Sequence, residues 1–291
     1  MSPTAIGLVC GLVAALCFGV GDFLVQSLTR ERGWLPAVLG VQIVSVLVLI
    51  GVAPIWHGPL ALGRIDPVLL ALGTVNTLGI VALYRAFEVG KLSLVSPIAG
   101  SMGAFTLLFA WRAGESPPAL ALPGLALVLV GIGLASLAAR ESPERAKVGR
   151  ALGVGWALLS ALGFGWVFFG IGGVSDSIGP AWAILGLRVI AVPWLLVVAL
   201  AMRICLRDPA AARPGRSLLL AVAVLDSGGL LAVAFGGAHG SAAIAAVLAS
   251  SFPVVTIALA RVRLKEQLAW WQWLGVAAIV IGVIWISALR S

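Results

Sequence analysis

ESPPALALPGLALVLVG, residues 115–131, and EQLAWWQWLGVAAIVIG, residues 266–282, decide how this chain is built. Each opens on a glutamate, Glu115 or Glu266, with a glycine nine residues on, Gly124 or Gly275, and another sixteen on, Gly131 or Gly282. The phrases lie 151 residues apart, and the correspondence continues upstream. Ala15-Leu16-Cys17-Phe18-Gly19 returns as Ala161-Leu162-Gly163-Phe164-Gly165, and Gly40-Val41-Gln42 as Gly186-Leu187-Arg188, both at an offset of 146. Self-similarity at a fixed offset across the whole chain marks a tandem duplication.

Each copy is too apolar for water. With 61% hydrophobic and 10% charged residues and a mean hydropathy of +1.13, the chain carries more apolar surface than a soluble fold of 291 residues could bury. In lipid the backbone must satisfy itself, which leaves helices or a closed barrel. The apolar runs are about 20 residues long and lack period-two alternation, so the fold class is all-α and polytopic. Met1 to Thr4 carries no side-chain charge, and the first apolar run passes the length of a signal peptide, so it reads as a first span. Cys10, Cys17 and Cys205 are odd in number and match no metal-ligand spacing.

Spans of that length fall near 4–26, 35–55, 68–88, 92–111, 118–138, 150–171, 180–201, 217–237, 241–260 and 268–289, ten in all. The polar stretch Ala139 to Arg150 separates the copies, giving a first five-helix repeat over 1–139, a linker over 140–149 and a second repeat over 150–291. Five is odd, so the second copy must enter the bilayer from the opposite side, and the repeat is inverted. Inverted repeats are a recurring architecture of secondary transporters, because two pseudo-symmetric halves can expose one midplane site to either face in turn. Of nineteen basic residues, Arg64, Arg112 and Arg290 fall on one side and Arg188 inside a span. The other fifteen follow the odd-numbered helices. The positive-inside rule then makes the linker cytoplasmic and both termini extracytoplasmic. Basic residues dispersed in this way form no patch for nucleic acid.

Ionisable residues inside spans cost about 2.5–3.5 kcal/mol even on insertion scales, so they are few and purposeful. Asp22, Arg188 and Asp226 are the three clear cases. Asp226 has Asn76 as its repeat-mate, at an offset of 150, and Arg188 has Gln42. Paired polar positions near the midplane are what a shared solute cavity needs, although helix–helix hydrogen bonds alone would also use them. Arg188 could receive a solute carboxylate or be locked by Asp22 or Asp226. Asp22 and Asp226 are candidates for proton coupling. Tyr84 and Trp166 are candidate aromatic walls, and Ser251 stands beside Pro253 in a cavity expected between helices four and nine. Pro97, Pro193 and Pro253 are expected to interrupt helices four, seven and nine, freeing backbone carbonyls. Trp270, Trp271 and Trp273 read as an interfacial belt.

The duplicated unit, Gly114-Glu115-Ser116 echoed by Lys265-Glu266-Gln267, and Arg85-Ala86-Phe87 leading to Ser93 resemble the EamA-type branch of the drug/metabolite transporter superfamily. The resemblance spans the chain. It implies export of amino acids or other small amphipathic metabolites across a bacterial inner membrane, by a protein that works as a monomer without a cofactor. Where many members carry a proline and an arginine, the first copy has Met102 and Gln42; the second keeps both, as Pro253 and Arg188. The alternatives are a proton-coupled multidrug exporter, a channel, or a membrane-embedded enzyme. The last lacks any HExxH, GxSxG or carboxylate cluster, so the chain is expected not to be an enzyme.

Overall fold

The structure, a computed structural model, describes residues 2–57, 67–114, 120–136, 144–203, 214–239, 245 and 248–289. Among these residues every regular element is helical: α1 (Pro3–Arg32), α2 (Trp34–His57), α3 (Pro67–Val89), α4 (Leu92–Gly100), α5 (Met102–Arg112), α6 (Ala121–Ser136), α7 (Glu144–Ile178), α8 (Pro180–Ala201), α9 (Pro214–His239), α10 (Phe252–Arg263) and α11 (Trp270–Leu289). Seven segments are long and apolar enough to cross a bilayer, one of them the α4–α5 pair Leu92–Arg112. Two shorter apolar helices lie in α6 and α11. The expected ninth span, 241–260, falls partly outside the described residues, as do Glu115 and residues 140–143 of the expected linker, whereas 144–149 form the first turns of α7.

Tight turns separate some neighbours. Gly33, at φ 79°, ends α1, and Gly179, at φ 89°, lies between α7 and α8; both angles belong to the left-handed region that glycine enters without strain. Pro193 does not interrupt its helix: α8 runs unbroken from Pro180 to Ala201, with Pro193 exposed on its surface. The most enclosed segment is the α4–α5 pair. It is 72% buried over its apolar window, against 44% or less in the other spanning segments.

Lipid offers no hydrophobic drive for helices to associate, so close packing needs small residues. The glycines of the repeated phrase supply it. A β-carbon on Gly131 would stand 2.7 Å from the Gly275 carbonyl oxygen, and one on Gly282 would stand 2.7 Å from that of Gly124. Because 124 meets 282 while 131 meets 275, α6 and α11 run antiparallel, each glycine opposing the mate of the other. The remaining pairs exchange under the duplication in the same way. α1 packs on α9, and α7, the equivalent of α1, packs on α3, the equivalent of α9.

A candidate midplane solute site

α2 and α8 hold equivalent places in the two repeats and pack against each other. That contact brings Gln42 to Arg188, whose Nη1 donates to Gln42 Oε1 at 3.2 Å. Its Nη2 donates to Asp226 Oδ2 on α9 at 2.5 Å, an ion pair. The arginine side chain is 7% exposed and the aspartate 34%, so the pair is closed on the cationic side and open on the acidic side. A buried guanidinium is tolerated only when charge and geometry are both answered, and here a carboxylate and an amide oxygen answer them. Of the two acids weighed for Arg188, the structure supplies Asp226.

Asp22 is placed differently. Its Oδ2 accepts from the Ser96 hydroxyl at 2.7 Å, which ties α1 to the enclosed α4. The charged group acting on it is Asp226, a second carboxylate. Tyr84, 5% exposed on α3, lies within electrostatic range of Asp226, Arg188 and Asp22. Asn76 is 6% exposed, and its Nδ2 has no partner among the described residues. Trp166 stands elsewhere. It is 43% exposed and meets Phe109 edge-on at 5.1 Å, in an apolar cleft that Val75, Gly79 and Gly163 also line.

The two helix breaks correspond. Ser101, between α4 and α5, donates its hydroxyl to the Ile98 carbonyl at 2.6 Å, and Ser251, just before α10, donates to Leu248 at 2.6 Å. Donor and acceptor are both displaced by 150 residues. Ser251 is thus engaged in its own turn. At each break a serine hydroxyl answers a carbonyl of the disrupted ladder. The breaks also touch, for a β-carbon on Gly100 would lie 3.0 Å from the Pro253 ring.

One symmetric pair escaped the sequence reading. Thr106 Oγ1 shares its hydrogen between the Gly165 carbonyl at 3.1 Å and its own helix's Met102 carbonyl at 3.0 Å, as Thr256 Oγ1 does between Gly19 at 3.3 Å and Phe252 at 3.2 Å. The threonines are 150 residues apart and the glycines 146, the two offsets already visible in the sequence. Those offsets mark the threonines and the glycines as repeat-mates, but which carbonyl each hydroxyl meets is set by helix packing.

Another linkage joins the repeats away from the midplane. Glu266, in the loop before α11, accepts the Leu92 N–H at 3.0 Å, the Ser93 N–H at 2.9 Å and the Ser93 hydroxyl at 2.6 Å. A carboxylate there satisfies orphan donors and meets the positive end of α4. Nearby, Lys91 donates to the Gln267 carbonyl at 2.6 Å, and Arg30 Nη2 to the Gly90 carbonyl at 3.0 Å. Arg85 pairs with Glu88 at 2.6 Å and lies over the rings of Trp34 and Trp156. These contacts involve the end of α1 and of α3 and the start of α2, α4 and α7, so that end of the bundle is laced together. Among the described residues no three metal-ligating side chains come together.

Two repeats of apolar helices around a buried polar cluster define a polytopic membrane protein of transporter architecture. The chain belongs to the EamA-like transporter family, whose model matches residues 5–137 and again 151–288. No curated protein matches it. One solved crystal structure is similar over 99% of this chain and 97% of its own, at a TM-score of 0.62 and 16% identity, a likeness of fold.

Proposed function

We propose that this protein is a secondary transporter that exports small amphipathic metabolites, amino acids among them, by alternating access between two inverted five-helix repeats. The repeats span 1–139 and 150–291. The observation that carries the reading is the placement of Arg188, Asp226 and Gln42 on helices contributed by both repeats. Asp226, open on one side, its mate Asn76 and Tyr84 are assigned to the cavity wall. Trp166 and Ser251 remain candidate solute contacts in this scheme. A polar cluster enclosed by pseudo-symmetric halves is reached from either face when one half rocks against the other.

Full-length protein in liposomes should show saturable counterflow with at least one member of a panel of amino acids and amphipathic metabolites. Leakage that never saturates would make it a channel, and no movement of any solute would remove the reading. The basic residues orient the same scheme, with both termini outside a bacterial inner membrane and the linker in the cytoplasm. Single cysteines at Ser2, Ser142 and Ser291, after replacement of Cys10, Cys17 and Cys205, test it with an impermeant thiol reagent. Labelling at 142 in intact cells, with none at the termini, reverses the topology.

A further inference from the structure

The midplane cluster holds two carboxylates and one guanidinium, and the guanidinium is taken. Arg188 gives its Nη2 to Asp226 at 2.5 Å and its Nη1 to Gln42 at 3.2 Å. Asp22 has a neutral hydroxyl, from Ser96, as its hydrogen-bond donor, and its charged neighbour is the like-charged Asp226. Arg188, Asp226 and Asp22 together therefore carry one negative charge more than they compensate. In a membrane interior that charge is answered by a proton or by a cation from outside the chain.

The duplication does not require this acid. At the offset of 146 that aligns Ala15 to Gly19 with Ala161 to Gly165, the place of Asp22 is taken by Phe168, which is 46% exposed. Asp22 thus belongs to one copy alone, unlike the glycine and threonine contacts. An aromatic ring lies on the same face of α1. Phe18, one helical turn before Asp22, meets Phe252 edge-to-face with ring centres 6.1 Å apart. Gly229 makes room for the Phe18 ring, since a β-carbon there would come within 2.6 Å of it. Tyr84 lies within electrostatic range of Asp22. Ring faces carry negative potential, and a carboxylate beside them makes a receptor for an alkylammonium. Asn76, the mate of Asp226, is buried, and its Nδ2 has no partner among the described residues, which leaves a donor for an acceptor atom on a solute.

We propose that Asp22, with Phe18, Tyr84 and Phe252, receives the ammonium group of the solute, so that organic amines and zwitterions are selected over anions. The proposal rests on the transporter reading and names the chemistry of its substrate. It also removes Arg188 from carboxylate recognition, because its guanidinium is buried and both Nη1 and Nη2 are engaged within the protein.

The test is equilibrium binding to the full chain in lipid nanodiscs, at one pH, with phenethylamine, phenethyl alcohol and hydrocinnamate, which share a ring and differ in charge. Phenethylamine should bind about tenfold or more tighter than the alcohol, with hydrocinnamate weakest. Asp22→Asn should bring the amine down to the alcohol, while Asp22→Glu keeps the preference. Phe18→Leu should lower the amine-to-alcohol ratio several-fold, and it carries the test if Asp22→Asn does not fold. Equal binding of amine and alcohol, preference for hydrocinnamate, or a ratio untouched by Asp22→Asn or Phe18→Leu would overturn the proposal. If phenethylamine fails while another solute still shows saturable counterflow, the transporter reading stands and the ammonium site alone falls.

Discussion

Gln42 and Asn76 in the first repeat occupy the places that Arg188 and Asp226 occupy in the second. One repeat presents neutral side chains and the other an ion pair, yet packing elsewhere in the bundle is common to both. Thr106 reaches Gly165 as Thr256 reaches Gly19, and Ser101 bonds its turn as Ser251 does. Packing has kept its symmetry while charge has lost it. Contacts that hold helices together at van der Waals distance tolerate little change, whereas the proposed solute site would serve an asymmetric molecule and would have no use for two equal walls.

The largest expected effect comes from making the second repeat resemble the first by halves. Asp226→Asn copies Asn76 and leaves Arg188, 7% exposed, without a counter-ion; the loss should reach about 3 kcal/mol. Adding Arg188→Gln completes the neutral pair and should recover most of it in a thermal melt. If the two losses simply add, the ion pair is not the unit the comparison makes it.

An intermediate effect tests the shared packing. Gly131→Leu drives a side chain into the backbone of α11, whose Gly275 oxygen and Ile279 nitrogen lie within 2.8 Å of the new β-carbon. A cost of about 1–3 kcal/mol follows from overpacking. Gly282→Leu should cost a similar amount, since it meets the mate position, and Gly155→Leu, with nothing within 4 Å, should be nearly neutral. Melting curves of the three variants in one detergent decide this, and a costly Gly155→Leu would mean that bulk alone is disfavoured.

The smallest effect is the most symmetric. Thr106→Val and Thr256→Val each remove one bond between helices, worth about 0.6 kcal/mol in a membrane protein. The two variants should be equal in stability within error. A gap between them would show that one of the symmetric contacts bears on the site as well as on the fold.

The duplication and most of the helices were legible because offset and hydropathy are properties of the linear chain. Asp22, Arg188 and Asp226 were legible because a charge in an apolar run has few reasons to be there. What the chain concealed was partner choice. Arg188 had two acids to choose between, and only the packing of α2, α8 and α9 selects Asp226. Thr106 and Thr256 passed as unremarkable in hydropathy, and their value lies in a carbonyl on another helix. Proline marked helices four and nine as irregular, yet the fourth breaks at Ser101, four residues after Pro97, while Pro193 leaves α8 whole. Trp166 is near polar positions in number but turns its ring to Phe109.

Glu266 was first visible as a marker of repetition, and its carboxylate turns out to finish a helix in the other copy, 174 residues earlier. Leu92 and Ser93 are buried, so their backbone donors cannot turn to water when that carboxylate is gone. A first copy made by itself would begin α4 with its cap missing and its fifth helix without the antiparallel partner that its glycines fit. Neither copy is therefore a module that could be lent to another protein. The smallest heritable object here is the couple, and a gene encoding half of it would have to find its complement before it had a structure to keep.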